Sequence, residues 1–377
     1  MTQSWIPARF YRGGSSKGVF FRAADLPARR EEIEPILLKV LGSPDANGRQ
    51  LDGMGGGISS LSKAVILSRS ERDDADIDYL FAQVAVDRPV VDWGANCGNL
   101  SSAVGPCALE MGLVAPREGE MLVRIYQVNT DAIIHARFPV ENGLPVAGGD
   151  FEIAGVAGGG ARIALDFIAP GGSLTAGLLP TGNTTDTIDI DGESVEVSLV
   201  DATNPVVFVA ASSLGLNGTE TPDQIEAMPD MMKRLDRIRR IGGVMMGLGD
   251  TPEAVRLANP KIALLSAPAP FSTLSGARLE HGDHDIGVRM VSMERVHRAI
   301  TLTAAMCVGA ACQIEGSLAH KLASSHTSHI RVGNASGVLP VGAEVSRGGD
   351  AVTVARTTAF RTARCLMRGD VAIVGCR

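Results

Sequence analysis

The sequence predicts an α/β protein of two similar halves with a cleft between them, and three observations carry that reading. Runs rich in β-branched and aromatic residues recur along the 377-residue chain, punctuated by glycine, of which there are 44. Two segments built almost wholly of small residues, one following Cys97 and one following Thr301, have helical periodicity and come after strand-rich sequence. Laying Cys97-Gly98-Asn99-Leu100 over Thr301-Leu302-Thr303-Ala304 also brings Val104-Gly105 onto Val308-Gly309, as a repeated unit would. The chain is long for one domain, so the expected halves are 1–182 and 183–377, divided near Gly182.

Each element has its own local signal. Ala8 to Tyr11, a Gly-Gly turn and Gly18 to Arg22 read as a hairpin. Residues 31–42 place Ile33, Ile36, Leu37, Val40 and Leu41 at helical spacing, and Gly42 closes the helix. Residues 64–68, 79–86 and 121–128 read as strands, with a helix from about Asn99 to Met111 between the last two. In the second half, 188–192, 195–201 and 206–212 read as strands, and 223–247 as a helix that Gly242-Gly243 interrupts. Strands are expected again at 261–268 and 285–293, then the second small-residue helix within 297–322, then strands over 330–345 and 351–360.

Composition narrows the class of function. Apolar residues make up 45% of the chain, enough for a substantial core, while a net charge of -7 argues against a nucleic-acid-backbone binder. Aromatic residues reach only 4%, which argues against a base-stacking platform. No apolar run is long enough to span a bilayer, the first residues lack a leader-like apolar stretch, and the six cysteines form no Cys-x-x-Cys pair. The expectation is a cytoplasmic protein with reduced thiols, without metal or cofactor, nucleic-acid or membrane partner. A homodimer is the default assembly.

Four segments carry candidate chemistry. Residues 12–18, Arg-Gly-Gly-Ser-Ser-Lys-Gly, read either as a turn whose backbone N–H groups hold a carboxylate or as a plain polar hairpin turn. Residues 52–63 fail the Walker A and dinucleotide patterns; what remains is a flexible glycine run, serines including Ser60, and Lys63 directly before an apolar strand. A lysine half-buried there would serve as a base; one in solvent would not. In residues 92–112, Cys97 sits on a glycine-rich turn before a helix, where free N–H groups favour an anion; the alternative is a structural cysteine. Cys107, Cys307 and Cys312 belong to the core, and residues 281–285, His-Gly-Asp-His-Asp, to an exposed loop. Arg289, Ser292 and His297 lie ahead of the second small-residue helix, and an arginine there would fork onto a carboxylate.

Together with 42–45, 179–183 and 288–299, these segments resemble, in order and spacing, the 2-methylaconitate isomerase (PrpF-type) family, which includes 4-oxalomesaconate and methylitaconate isomerases. The resemblance spans nearly the whole chain. It implies a diaminopimelate epimerase-like fold, two halves each a curved sheet or barrel around a central helix, with the active site between them. It also implies catalysis by a lysine and a cysteine, which map onto Lys63 and Cys97, without a cofactor. In epimerases of this fold two cysteines oppose each other; here the second position falls on Thr301, which speaks against a two-thiol epimerase. Three departures stand out: Ser15 replaces the family's Thr in its Thr-Ser-Lys turn, Asn334 replaces a His, and Glu315 replaces a Pro.

The expected function is cofactor-independent isomerisation of a small unsaturated di- or tricarboxylate by allylic proton transfer between Lys63 and Cys97. The expected substrate-binding set is Ser15, Ser16, Lys17, Ser60, Asn96, Gly98, Asn99, Arg289, Ser292, Thr303 and Ser336. 2-Methylaconitate leads the substrates, followed by 4-oxalomesaconate, methylitaconate and aconitate. An amino-acid epimerase or racemase and a non-catalytic carboxylate binder are the alternatives.

Overall fold

A computed structural model describes residues 3–94, 96–153, 156–349 and 351–375. It divides into two compact units, residues 1–166 with 360–377, and residues 167–359.

In the first unit, β1 (Gln3–Gly13) and β2 (Ser16–Arg22) form a two-residue hairpin, and α1 (Arg30–Leu41) leads to β3 (Lys63–Arg69) and β4 (Ile77–Val84). The central helix α2 (Gly98–Glu110) follows, then β5 (Gly119–Gln127) and β6 (Ala132–Glu141). The pairing runs antiparallel for β1 with β2, parallel for β2 with β3, antiparallel for β3 with β4, parallel for β4 with β5, and antiparallel for β5 with β6. The two parallel steps are those where a helix carries the chain back across the sheet, as such a connection requires.

The second unit repeats this grammar. Its strands are β7 (Asp186–Ile190), β8 (Glu193–Asp201), β9 (Pro205–Ala210), β10 (Lys261–Ser266), β11 (Ile286–Ser292), β12 (His329–Asn334), β13 (Gly337–Gly348) and β14 (Ala351–Arg361), whose last two residues belong to the first unit. The helix α3 (Pro229–Met245) joins β9 to β10, and α4 (Leu302–Ala311) joins β11 to β12. From β8 to β13 the pairing again alternates antiparallel, parallel, antiparallel, parallel, antiparallel. A further antiparallel strand flanks each set. In the second unit it is β7; in the first it is β15 (Ala363–Val374), which pairs along β1 from Gln3 to Gly13. The first unit ends at residue 166 and regains residues 360–377 through that return, so the division differs from the single cut expected near Gly182. Sequence periodicity missed β15, β6 and the strand Ile163–Ile168.

Both faces of the first unit's sheet are covered. The five residues expected at helical spacing in α1 are buried, and they pack with Val19, Phe21, Ala64, Ile66, Ala82 and Val84. Gly42 caps the helix in the left-handed region, at φ 73°. Because side chains alternate across a strand, Ser16, Gly18, Phe20, Lys63, Val65, Phe81 and Gln83 face the other way, toward α2. From Leu100 to Leu109 every residue of α2 is buried, and α4 is buried throughout except at Thr303. Both helices touch their sheets through a glycine: a Cβ at Gly105 would lie 2.6 Å from Phe138 Cε1, and one at Gly309 2.8 Å from Val341 Cγ2. These are the two glycines that the sequence overlay aligned.

Gly242 and Gly243 do not interrupt a helix. They lie inside α3, where a Cβ at either would stand 2.7 Å from Val207 or Val255, so close packing accounts for them. The break falls instead at Pro229, which separates α3 from the short helix Pro222–Glu226. Among the described residues no helix is long and apolar enough to cross a membrane.

Replacing Gly105 by Val drives side-chain atoms into Phe138, itself only 2% exposed. The expected loss is about 1–3 kcal/mol from overpacking, read as a lower urea midpoint at unchanged slope.

Candidate active site

The start of α2 is pressed against the β1–β2 turn. Gly14 occupies the left-handed region at φ 52°, and a Cβ there would stand 2.3 Å from Asn99 Oδ1, so only glycine fits. Asn99 donates from Nδ2 to Ser15 Oγ at 3.1 Å, and its Oδ1 accepts from Arg361 Nε at 3.1 Å. Burial lowers the Arg361 guanidinium to about 10.

Cys97 is the N-cap of α2 and is 9% exposed. Its side chain makes no capping bond, which leaves the first-turn N–H groups of Gly98 and Asn99 for an anion. The thiol lies 3.9 Å from the buried Ser16 hydroxyl. Ser101 ties down the turn, donating from N and Oγ to the Cys97 carbonyl at 3.0 and 3.2 Å; its Oγ also lies 3.4 Å from Asn96 Oδ1.

Lys63 opens β3 on the same face. Its Nζ donates to Gln83 Oε1 at 2.5 Å and lies 5.0 Å over the Phe81 ring. A Cβ at Gly18 would stand 3.4 Å from Lys63 Cβ, and Gly18 is two residues along β2 from Ser16. Ser16 and Gly18 of β2 thus lie beside the cysteine and the lysine respectively, with Leu100 Cδ1 packed 2.9 Å from the Gly18 Cβ position.

The glycine run before Lys63 is folded round Gln50 rather than flexible. Gln50 is 1% exposed and adopts φ 53°. Its Nε2 donates to Ser43 Oγ at 2.9 Å and Ser62 Oγ at 2.8 Å, while Oε1 accepts from the Gly57 N–H at 3.0 Å. Three backbone N–H groups, of Asn47, Arg49 and Gln50, converge on Asp45 and hold its carboxyl below the usual range. Ser60 sits partly exposed in the single 3-10 turn Ser59–Leu61 that follows the run.

Of the predicted set, the fold brings together Ser15, Ser16, Asn96, Cys97, Gly98 and Asn99 around the α2 start, and Lys63 joins them on the same face. Lys17 is not part of this group: strand alternation turns it to the α1 face, where its Nζ lies 5.6 Å from the Phe10 ring. In the second unit, Arg289 is 2% exposed and donates from Nε to the Glu220 carbonyl at 2.6 Å and from Nη1 to the Val288 carbonyl at 3.1 Å, beside the Phe271 ring. Burial lowers it to about 10. Ser292 is buried at the end of β11, and the Ser336 hydroxyl donates to Arg298 O at 2.6 Å. Asn334 closes the β12–β13 turn by donating to Gly337 O at 2.9 Å.

Thr301 caps α4 as Cys97 caps α2, and Thr303 lies in its first turn with a carbonyl that accepts from Thr203 Oγ1 at 2.7 Å. His297 is held below its usual range by burial and by Lys261. The 281–285 segment splits: His281 and Asp283 are exposed, but His284 is buried against Phe271 and Asp285 pairs with Arg331 at 2.7 Å. No group of three metal-ligating side chains occurs among the described residues. Cys107, Cys307 and Cys312 are fully buried, and burial pushes each thiol up; Cys376 lies outside the described residues.

A family model described as PrpF protein matches residues 3–374. The chain belongs to the PrpF family. It is similar to the 2-methyl-aconitate isomerase of Cupriavidus necator, 39% identical over 385 residues, covering 98% of this chain and 97% of that one. It is also similar to the 4-oxalomesaconate tautomerase of Pseudomonas putida, 40% identical over 376 residues, covering 99% and 97%. Among solved structures, methylitaconate-delta-isomerase superposes with a TM-score of 0.93 at 35% identity, over 100% of this chain and 98% of that one. A hydroxyproline epimerase from Agrobacterium vitis shares the fold at a TM-score of 0.51 and 12% identity, over 98% and 92%.

Four residues that shape this candidate site were absent from the sequence expectation: Gln83, Phe81, Gln50 and Arg361. For the first two the signal was present, since in residues 77–84 the positions alternating with Tyr79 are Phe81 and Gln83, which puts a polar group on a buried face. Replacing Gln50 by Leu removes the donor to the Ser62 hydroxyl and strands the Gly57 N–H, while the Ser43 hydroxyl keeps its bond to the Ala85 carbonyl. The expected result is a loss of about 1–3 kcal/mol in stability together with new proteolytic cleavage within residues 52–58.

Proposed function

We propose that this PrpF-family isomerase moves the double bond of a small unsaturated di- or tricarboxylate, or changes its geometry, by allylic proton transfer at Lys63 and Cys97. The observation that carries the reading is their place on the α2-facing side of the sheet, beside alternate residues of β2: the thiol 3.9 Å from Ser16 Oγ and the Lys63 Cβ 3.4 Å from the Cβ position of Gly18. One group of the pair removes a proton from the carbon next to the double bond. The electron pair spreads through the double bond into the conjugated carboxylate as a dienolate. A proton returned to the far allylic carbon completes a double-bond shift; rotation followed by return to the original carbon completes a change of geometry. Each proton removed is replaced, and no electrons enter or leave.

A carbon acid beside a carboxylate is weak, so the dienolate needs fixed donors. The N–H groups of Gly98 and Asn99 and the hydroxyls of Ser15 and Ser16 supply them in this reading, each well-placed donor being worth about 3 kcal/mol. A second carboxylate is taken up by Asn96 and by Ser60 in the turn before Lys63. We favour 2-methylaconitate as substrate, with 4-oxalomesaconate, methylitaconate and aconitate as alternatives; the first three correspond to the named substrates of the similar isomerases. Thr301 at the N-cap of α4 argues against a two-thiol epimerase, because a threonine hydroxyl is a far weaker acid than a thiol.

Proton NMR in D2O with this panel tests the proposal. The expected outcome is deuterium at an allylic carbon together with new vinyl or methylene signals, reduced at least about 100-fold in Cys97→Ser and in Lys63→Ala. Absence of exchange with every member would sink the assignment, and binding without turnover would favour a carboxylate-binding protein.

A further inference from the structure

We infer that Gln83 is the positioning residue of this site: its side-chain amide fixes the Lys63 Nζ, and through it the glycine loop is coupled to proton transfer. The inference rests on the reading of Lys63 as one of the proton-transfer pair.

Gln83 lies directly across from Lys63 in the β3–β4 register, and its Oε1 takes one Nζ–H at 2.5 Å. Its Nε2 donates to the carbonyls of Ser59 and Ser62, at 3.0 and 2.9 Å. Carbonyls accept and cannot donate, so the NH2 end must face the loop and the oxygen end must face the lysine. Flipping the amide would set its oxygen against two carbonyls and its NH2 against an ammonium. The orientation is thus imposed from behind, by the chain that leads into Lys63. On the lysine itself, the Phe81 ring at 5.0 Å restrains the side chain from a second direction.

One of the two residues whose carbonyls hold Gln83, Ser62, is bound in turn by Gln50. Ser62 accepts on its hydroxyl from Gln50 Nε2 at 2.8 Å and on its carbonyl from Gln83 Nε2. Two amides therefore clamp the end of the glycine run, one on each side of Ser62, and the second reaches the reacting group. A neutral amide suits this task. It accepts one hydrogen of the ammonium and leaves two for substrate, whereas a carboxylate at the same place would form an ion pair and hold the proton against transfer.

The chain has only six lysines, so 15N-lysine NMR of the intact protein can follow each ammonium, and the signal absent from Lys63→Ala identifies Lys63. In Gln83→Leu that signal should move or broaden beyond detection while the other five stay. The kcat should fall about 10- to 100-fold with KM within twofold, counted per folded molecule. In Gln83→Glu the lysine signal should remain sharp, yet kcat should still fall at least 10-fold. An unchanged Lys63 signal in Gln83→Leu, or parental kcat in either variant, overturns the inference. Should Gln83→Leu fail to fold, Gln83→Glu decides the matter by its turnover. Parental turnover in Lys63→Ala overturns the Lys63 reading and this inference together; an inactive Lys63→Ala beside a fully active Gln83→Leu overturns only the role of Gln83.

Discussion

The first turn of α2 and the β1–β2 turn approach until no side chain fits between them. A Cβ at Gly13 would stand 2.8 Å from the Asn99 carbonyl oxygen, and one at Gly18 2.9 Å from Leu100 Cδ1. This contact fixes the height and rotation of the helix in the sheet, and with them the place of its N-cap. Cys97 reaches Ser16 because the helix is seated there, not because the thiol has strong bonds of its own. Asn99, gripped by Ser15 and Arg361, keeps the seat from rotating. A closely packed interior has two outcomes for a helix end, seated or displaced, and few in between.

The same pairing pattern is used twice in the chain, but its chemistry-bearing positions differ. Lys261 opens β10 as Lys63 opens β3, and Thr301 caps α4 as Cys97 caps α2. The Lys261 Nζ donates to the Ala258 carbonyl at 3.1 Å, and desolvation and Arg239 hold it below its usual range. One step beyond the Ile262–Val291 pair, the β10–β11 register brings Ser292 opposite Lys261, where Gln83 stands opposite Lys63. A hydroxyl replaces an amide, and a second hydroxyl replaces the thiol. Among the described residues, only the first unit has a lysine, an amide and a thiol at these three positions.

Much of this was legible in the sequence because it depends on local chemistry. The spacing of Ile33, Ile36, Leu37, Val40 and Leu41 describes α1 whatever surrounds it, and the aligned Gly105 and Gly309 mark two helices that must lie close to a sheet. What was illegible depends on partners far along the chain. Gln83 matters only once the β3–β4 register puts it across from Lys63. Lys17 shares a motif with Ser16, but the two point to opposite faces because neighbours on a strand always do. Arg289 has the composition of a carboxylate fork, but its burial and its bonds to the carbonyls of Glu220 and Val288 depend on partners that no local motif announces. Strand β15 alternates weakly, with exposed Arg364, Leu366, Arg368 and Asp370 on one face, and its partner lies some 360 residues earlier.

The return of β15 to β1 has a consequence for the order in which the molecule can form during synthesis. Emerging from the ribosome, the first unit lacks a flanking strand along the whole of β1, while every residue of the second unit is made before β15 appears. The unit that comes later in the sequence is therefore the first able to close, and the nascent chain bearing Lys63 and Cys97 waits with an open edge. Such an edge invites pairing with other chains. The exposed charges along β15 suit a strand that must remain soluble until it docks along β1 and completes the first unit's sheet.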